Sequence, residues 1–325
     1  MNRFIFAISL LSVSIANMQF TWAQAVKTES ELEFEIHIPS GQIALKGDLD
    51  AKATNPFVKV TRAGKDLDTT SQASGEKKGN VAIVRALPDA TAANKWEIRL
   101  PVGKRAKLYM NQGQVTVTGF QADLLLNMTQ GQISLNGFKG TAKMHVGKGA
   151  ITVLESSGML DIETATASTT IKKFTGPYKI LSLSGEIIVE NVDGAGDVKS
   201  AFGNTKILAG SGGINFDLNR GNLNLQNFKG QVEGELRESN SVIALEAGTQ
   251  LQVSLGSGKI AVNGKKAPGA QVDLLSSEGG DFLVPNHLNV QKDGLHRVVR
   301  GHLKGEKSEA RIFVRTKEGN VSVTQ

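Results

Sequence analysis

Glycine recurs every eighteen residues through the middle of this chain, and that fixed period constrains the fold more than any motif does. Gly113, Gly131, Gly149, Gly185, Gly203 and Gly221 share one phase, with Ala167 and Ser239 on its two other positions. A second phase, nine residues on, holds Gly140, Gly158, Gly176, Gly194, Gly212, Gly230 and Gly248, with Ala122 at its start. Self-similarity at this spacing is the signature of a solenoid, whose units bury their apolar faces only against one another.

Numbering each unit from its first glycine, position four reads Val117, Leu135, Val153, Ile171, Val189, Ile207, Leu225 and Ile243. Position two reads Val115, Ile133, Ile151, Thr169, Ile187, Thr205, Leu223 and Ser241, with mostly polar residues between the two positions. Alternation with period two marks a strand buried on one face. It resumes after the second glycine, at positions eleven, thirteen and fifteen: Leu160, Ile162 and Thr164 in one unit, Ile214, Phe216 and Leu218 in another. Each unit is therefore strand, corner, strand, corner. A helix needs a 3.6-residue stripe, which is absent. A meander of hairpins has no reason to keep one unit length.

The expected fold is all-β, a single-stranded parallel β-helix with about 18 residues per turn. Same-numbered residues stack about 4.8 Å apart, so eight turns span about 38 Å. One slip is visible. Gln250 and Gln252 fall where apolar residues belong, while Leu251, Val253 and Leu255 come one residue late. A one-residue slip turns a core face outward, so this predicts a one-residue insertion near Thr249. Position seven carries Phe120, Phe138, Phe174, Val192 and Phe228, interrupted by Ser156, Gly210 and Glu246. It reads as a stacked core column rather than a sugar-stacking platform.

The two ends are less regular. Residues 1–25 read as an export signal: Arg3, an apolar run from Phe4 to Ala16, and Ala23-Gln24-Ala25 as a cleavage site, with cleavage expected after Ala25. The run is too short for a transmembrane span, and no later segment qualifies. The expected location is therefore periplasm, outer-membrane surface or medium. Residues 26–110 are expected to form the N-terminal turns and cap, with Lys65 to Asn80 a polar loop that swells one turn. Residues 111–264 form the regular helix. Residues 265–325 form the C-terminal turns and cap, ending in a coil or hairpin-like pair around Gly319.

Composition removes several functional classes. Cysteine is absent, which excludes disulfides, thiolate metal sites and a Cys nucleophile. Net charge is +6 without clustering and aromatics are 5%, so nucleic acid is not an expected partner. No Ser nucleophile motif, phosphate loop or paired-His spacing is present, and no cofactor or metal is expected.

What remains is the outward surface. Position twelve reads Lys143, Asp161, Lys179, Asp197, Asn215 and Glu233, so charge sign mostly alternates from turn to turn. Such pairs contribute about 0.2–1 kcal/mol each and read as a solvated ladder that sets register. Glu163, Lys199, Asp217 and Glu235 lie one outward position further on, and His145 adjoins Glu163. The candidate ligand face is thus Lys143, Asp161, Glu163, Lys179, Asp197, Lys199, Asp217, Glu233 and Glu235, presented to a cell-surface or envelope glycan or protein. Asp217, Glu233 and Glu235 form an acidic patch with no basic partner in the pattern.

Two alternatives stand beside this binding reading. Asp161 with Glu163, or Glu233 with Glu235, point to the same side of a strand and imitate the acid pair of a polysaccharide lyase or hydrolase. Thin aromatic provision (Trp96, Tyr109 and an inward Tyr178) argues against sugar processing, so the chain reads as a non-enzyme. The other alternative is a periplasmic structural or assembly factor.

A resemblance rests on three stretches. They are the strand Trp96-Glu97-Ile98-Arg99-Leu100-Pro101, the repeats Gly113-Gln114-Val115-Thr116-Val117 and Gly131-Gln132-Ile133-Ser134-Leu135, and the tail from Gly301-His302-Leu303 through Ile312-Phe313-Val314 to Gly319-Asn320-Val321. These resemble the bacterial "putative adhesin" family, a domain of unknown function with repeated strand, Ser-Gly-Asp, Ile turns. The resemblance spans most of residues 30–325, with Gln or Glu here where the family often has Asp after glycine. It implies an exported, right-handed single-stranded β-helix and surface binding, and it carries over no catalytic residue.

Overall fold

The rung-on-rung stacking that the glycine period demands is present in the computed structural model of the protein. The structure describes residues 32–325 except Thr54 and Asp89, and of Asp293 the backbone alone. The export signal read in residues 1–25 lies outside the described residues.

The first coil is β1 (Glu33–His37) and β2 (Ser40–Leu49). The chain then makes an excursion through β3 (Phe57–Arg62), β4 (Lys65–Asp66), α1 (Thr69–Gln72), β5 (Ala73–Lys78), β6 (Val81–Ala86) and β7 (Asn94–Pro101). It returns as β8 (Arg105–Thr118), which stacks in parallel on the first coil, Leu108 beside Ile36 and Gly113 beside Gly41. β6 and β7 stack on the other side of that coil, with Val84 beside Ile36 and Trp96 beside Ile43. β5 then covers β6, and β3 covers β7, both antiparallel. The polar segment from Lys65 to Asn80 is thus a cap of short elements rather than a loop. Lys65 to Asp66 closes against β3, Asp68 caps α1 through the Thr70 N–H, and Ala73 to Lys78 blunts the sheet edge with exposed Glu and Lys. Gln72 of α1 is buried and accepts from Asn94 Nδ2 at 2.9 Å, while Arg62 Nε donates to Asn94 Oδ1 at 2.9 Å. This side-chain network satisfies the buried amide of Asn94 where regular pairing stops.

The regular stack follows as β8, β9 (Leu124–Asn136), β10 (Lys139–Thr175), β11 (Tyr178–Ser184), β12 (Ile187–Asp193), β13 (Gly196–Phe202), β14 (Thr205–Arg220), β15 (Leu223–Leu245) and β16 (Gln250–Asn263). All these pairings are parallel, and residues eighteen apart are partners: Leu124 with Ala142, Tyr178 with Gly196, Ile214 with Val232. At the last step Val232 pairs with Leu251, nineteen residues on. The extra residue sits where the sequence placed it. Thr249 is fully buried and donates its hydroxyl to Phe228 O at 3.0 Å, which pins the insertion.

The glycine period has a steric cause. At Gly149 the backbone has φ +137°, and a Cβ there would stand 1.7 Å from the carbonyl oxygen of Gly131 one turn away. Each corner glycine of this kind lets the neighbouring corner approach to hydrogen-bonding distance. A third corner column was not legible as one. Gly119, Gly137, Glu155, Lys173, Asn191, Ala209 and Asn227 all adopt φ between 48° and 64°. Their Cβ positions are open where glycine stands, with nothing nearer than 3.8 Å to Gly119 or Gly137, so varied residues occupy the column.

The core column at position seven is buried as expected. Phe120, Phe138, Phe174, Val192 and Phe228 are each 2% exposed or less, and the Phe120 and Phe138 rings stack at 6.4 Å. Its interruptions fit locally. Ser156 Oγ accepts from Phe138 N–H and donates to Leu154 O, and a Cβ at Gly210 would strike Val192 O at 2.6 Å. Glu246 turns outward to Lys266 Nζ at 2.7 Å. Tyr178 points inward, and burial raises the pKa of its phenol. Its ring is accommodated by Gly196 on the next turn, where a Cβ would lie 2.3 Å from Tyr178 Cζ. On the corner before the first strand, Asn204 and Asn222 each accept the backbone N–H of the asparagine one turn on, at 3.2 and 3.0 Å.

The C-terminal end repeats the device of the N-terminal one. β17 (Gln271–Ser276) and β18 (Phe282–Leu283) form a coil, β19 (Val290–Asp293) and β20 (His296–His302) an antiparallel pair, and β21 (Arg311–Thr316) and β22 (Asn320–Thr324) the last coil. That last coil does not lie last. Leu251 pairs with Ile312 and Ile260 with Val321 on one side, while Val272 pairs with Ile312 and Phe282 with Val321 on the other. β20 covers β17 antiparallel. Gly319 therefore joins two strands of a coil, not a hairpin. At both ends the coil nearest the chain terminus is sandwiched, and an antiparallel strand closes the parallel edge.

Candidate functional site

The second strand of each turn builds one wall of the coil, and its outward side chains stand in columns because the register is fixed. One column runs Tyr109, Asn127, His145, Glu163, Leu181, Lys199, Asp217 and Glu235. The next outward column, two residues on, is mostly small: Thr129, Gly147, Ala165, Leu183, Ala201 and Asn219, then Arg237. Small side chains between a taller column and the corner leave a shallow groove of about 990 Å³, running from Tyr109 to Arg237 along eight turns.

The middle of the groove is apolar, with charged residues on the turns to either side of it. Leu181 is 43% exposed and Leu183 55%, with Phe202 at 43% on the adjoining turn. Beneath them, Thr164 Oγ1 donates to Ser182 Oγ at 3.1 Å, and both hydroxyls are buried. On one side His145 Nδ1 meets Glu163 Oε2 at 2.9 Å, the neighbour relation expected from the sequence. Beyond it, Tyr109 stacks on His37 of the first coil at 4.8 Å. On the other side Arg237 reaches Asp217 Oδ2 at 3.8 Å. Lys199 has no ion-pair partner among the described residues of its own chain.

This geometry divides the nine candidate residues. Glu163, Lys199 and Asp217 line the groove. Glu235 lines a smaller recess beside Arg237, Arg315 and Lys317. Lys143, Asp161, Lys179, Asp197 and Glu233 occupy the adjoining outward column and do not line the groove. Two expectations are corrected. Asp161 is not solvated but 8% exposed, lying 3.7 Å from Lys143 Nζ, so it is part of the scaffold and unavailable to a ligand. The acidic patch is not without a basic partner, because Arg237 of the next turn folds back onto Asp217. Among the described residues, no group of three His, Cys, Asp or Glu side chains is placed to hold a metal ion.

Tyr109, Asn127, Leu181, Leu183 and Arg237 were missed because charge was followed rather than shape. One signal was available. Ile180-Leu181-Ser182-Leu183 puts leucine at two successive outward positions of one turn, where the other turns carry polar or small residues. A further recess on the other wall, near the C-terminal end, is lined by Val242 and Leu283, which are 49% and 71% exposed. No described helix is long and apolar enough to cross a membrane.

No curated protein matches the sequence. Among solved structures, a "putative cell adhesion protein" from Clostridium sporogenes ATCC 15579 is similar over 90% of this chain and 92% of its own, at 9% identity and a TM-score of 0.18. The family model described as Toastrack DUF4097 matches residues 11–324. With a parallel β-coil described over residues 32–325 and that match spanning nearly the whole sequence, the chain belongs to the Toastrack DUF4097 family.

Proposed function

We propose that this chain is a non-enzymatic exported β-helix, an adhesin or envelope-binding scaffold, that offers the groove wall to an extended cell-surface or envelope component, glycan or protein. The observation that carries the reading is the groove itself. It is long and shallow, follows the stacking direction through eight turns, and exposes leucines at its centre. A coil of this kind buries its apolar residues inward without help, so exposed leucine at two consecutive outward positions needs a partner to cover it. An open wall suits a polymer or a second surface better than a small molecule, which favours enclosure. The carboxylates that imitate a catalytic pair have structural roles in this reading: Asp161 is buried against Lys143 and Glu163 is paired with His145. Export rests on the signal pattern of residues 1–25.

The test has two parts. Labelling of intact cells with a membrane-impermeant reagent is expected to mark the protein; labelling only after the outer barrier is opened would assign it to the periplasm instead. Purified chain is expected to bind isolated envelopes saturably, with Leu181→Asp/Leu183→Asp weakening binding at least about tenfold, the scale of covering two half-exposed leucines. Undiminished binding by that double variant would remove the groove from the account.

A further inference from the structure

We infer that the partner of this groove is a second copy of the same chain, docked face to face with its coils running in the opposite direction. The inference rests on the binding reading above and names its partner. The groove centres near Leu181, with four turns before it and three after. A two-fold axis laid along the strand direction at that turn maps each outward column onto itself and reverses the order of turns. The groove column is self-complementary in charge about that axis.

At the axis Leu181 and Leu183 meet their own copies. One turn either side, Glu163 meets Lys199 of the second copy, and Lys199 meets its Glu163. This supplies Lys199 with an ion-pair partner, which it lacks among the described residues of its own chain. Two turns either side, His145 meets Asp217 of the second copy, adding to the His145–Glu163 and Asp217–Arg237 pairs already present. In the small column, Ala165 meets Ala201, which leaves room beside Leu183 for the leucine of the other chain. The adjoining column is not complementary: it brings Lys179 near its own copy and Asp161 near Asp197 of the second copy, with Asp161 and Asp197 of the same chain flanking each Lys179 as register partners. The wall measures about 38 Å by about 20 Å, from eight rungs and six residues along a strand. That is about 760 Å² on each copy, close to the ~800 Å² per partner of a standard interface.

Charge reversal with mixing tests this directly, read by sedimentation velocity on the purified chain, with far-UV circular dichroism to confirm the fold. The wild type is expected to dimerise reversibly. Glu163→Lys alone and Lys199→Glu alone are each expected to weaken the dimer at least about tenfold, because like charges then face each other twice. An equimolar mixture of the two variants is expected to recover dimerisation to within about threefold of wild type, since each chain supplies the charge the other has lost. Leu183→Asp is expected to abolish the dimer. A wild type that stays monomeric to about 1 mM, the range of negligible affinity, overturns the proposal. So does a dimer that neither reversal weakens, or a mixture that does not recover. If the wild type is monomeric yet binds envelopes through Leu181 and Leu183, self-docking fails and the binding reading stands. If it does neither, both fall.

Discussion

Gly149→Ala is expected to destabilise the protein by about 4–5 kcal/mol, at the upper end of what one methyl group does. Two effects combine. An alanine at φ +137° costs about 1–3 kcal/mol in backbone strain. The added Cβ also stands 1.7 Å from Gly131 O, and the obstacle is backbone, which cannot swing aside. The two turns must part, and ladder hydrogen bonds on both walls go with them. The matched control is Gly119→Asn. Its φ is +61°, nothing lies within 4 Å of its Cβ, and Asn191 and Asn227 adopt the same conformation four and six turns further on in its column. Here the cost is expected to be about 1 kcal/mol or less. Urea unfolding followed by far-UV circular dichroism separates the two. Equal costs would mean that the glycine period reflects turn propensity alone and not the close approach of stacked corners.

Removal of the last fifteen residues, from Arg311 to Gln325, is expected to be still more damaging. In a solenoid stacked in chain order, such a truncation peels away a terminal coil and leaves the rest intact. Here the removed coil lies between β16 and β17–β18. Ile312, Val314, Val321 and Val323 are each 2% exposed or less. Their burial is worth about 1.5–3 kcal/mol each, about 6–12 kcal/mol together as an upper estimate. Both flanking strands also become open parallel edges, the kind that pair with other chains. The truncated protein is expected to aggregate, and residues from about Gln271 to His302 to become cleavable by a dilute protease. A monomeric truncate with that segment still protected would show that the sandwiched order is wrong.

These two expectations mark what the sequence discloses and what it hides. The middle of the chain is legible because geometry there leaves few choices: corner glycines recur every eighteen residues, and the slip near Thr249 shows because Leu251, Val253 and Leu255 all move together. The ends are hidden by long-range placement. Gly41 to Leu45 does echo Gly131 to Leu135, and Gly41 even keeps the eighteen-residue phase, standing seventy-two residues before Gly113. The phase suggests three turns between them, yet the two glycines are direct partners and the intervening strands stack on the far side of the first coil. Nothing local distinguishes these arrangements, because each offers the same alternating strands a buried face. The left-handed corners from Glu155 to Asn227 were hidden for the opposite reason: Glu, Lys, Asn and Ala all occupy the column, so composition carries no trace. The groove was only half legible. Charge alternation drew the eye to Lys143 through Glu233, whereas the cavity is made by small residues and two outward leucines one column away.

Every placement in the groove, from His145 beside Glu163 to Leu181 beside Lys199, depends on the stacking register, and disulfide trapping measures that register most directly. The native chain has no cysteine, so introduced pairs react without competition. Stacked neighbours about 4.8 Å apart fall within disulfide reach, whereas residues two turns apart do not. The pairs Leu181→Cys/Lys199→Cys and Lys46→Cys/Thr118→Cys are expected to close rapidly under mild oxidation, the second despite seventy-two residues of separation. Leu181→Cys/Asp217→Cys is expected to stay reduced within one chain. Closure of the two-turn pair as readily as the one-turn pair, or an open Lys46–Thr118 pair, would contradict the stack and with it the face on which the proposed binding rests.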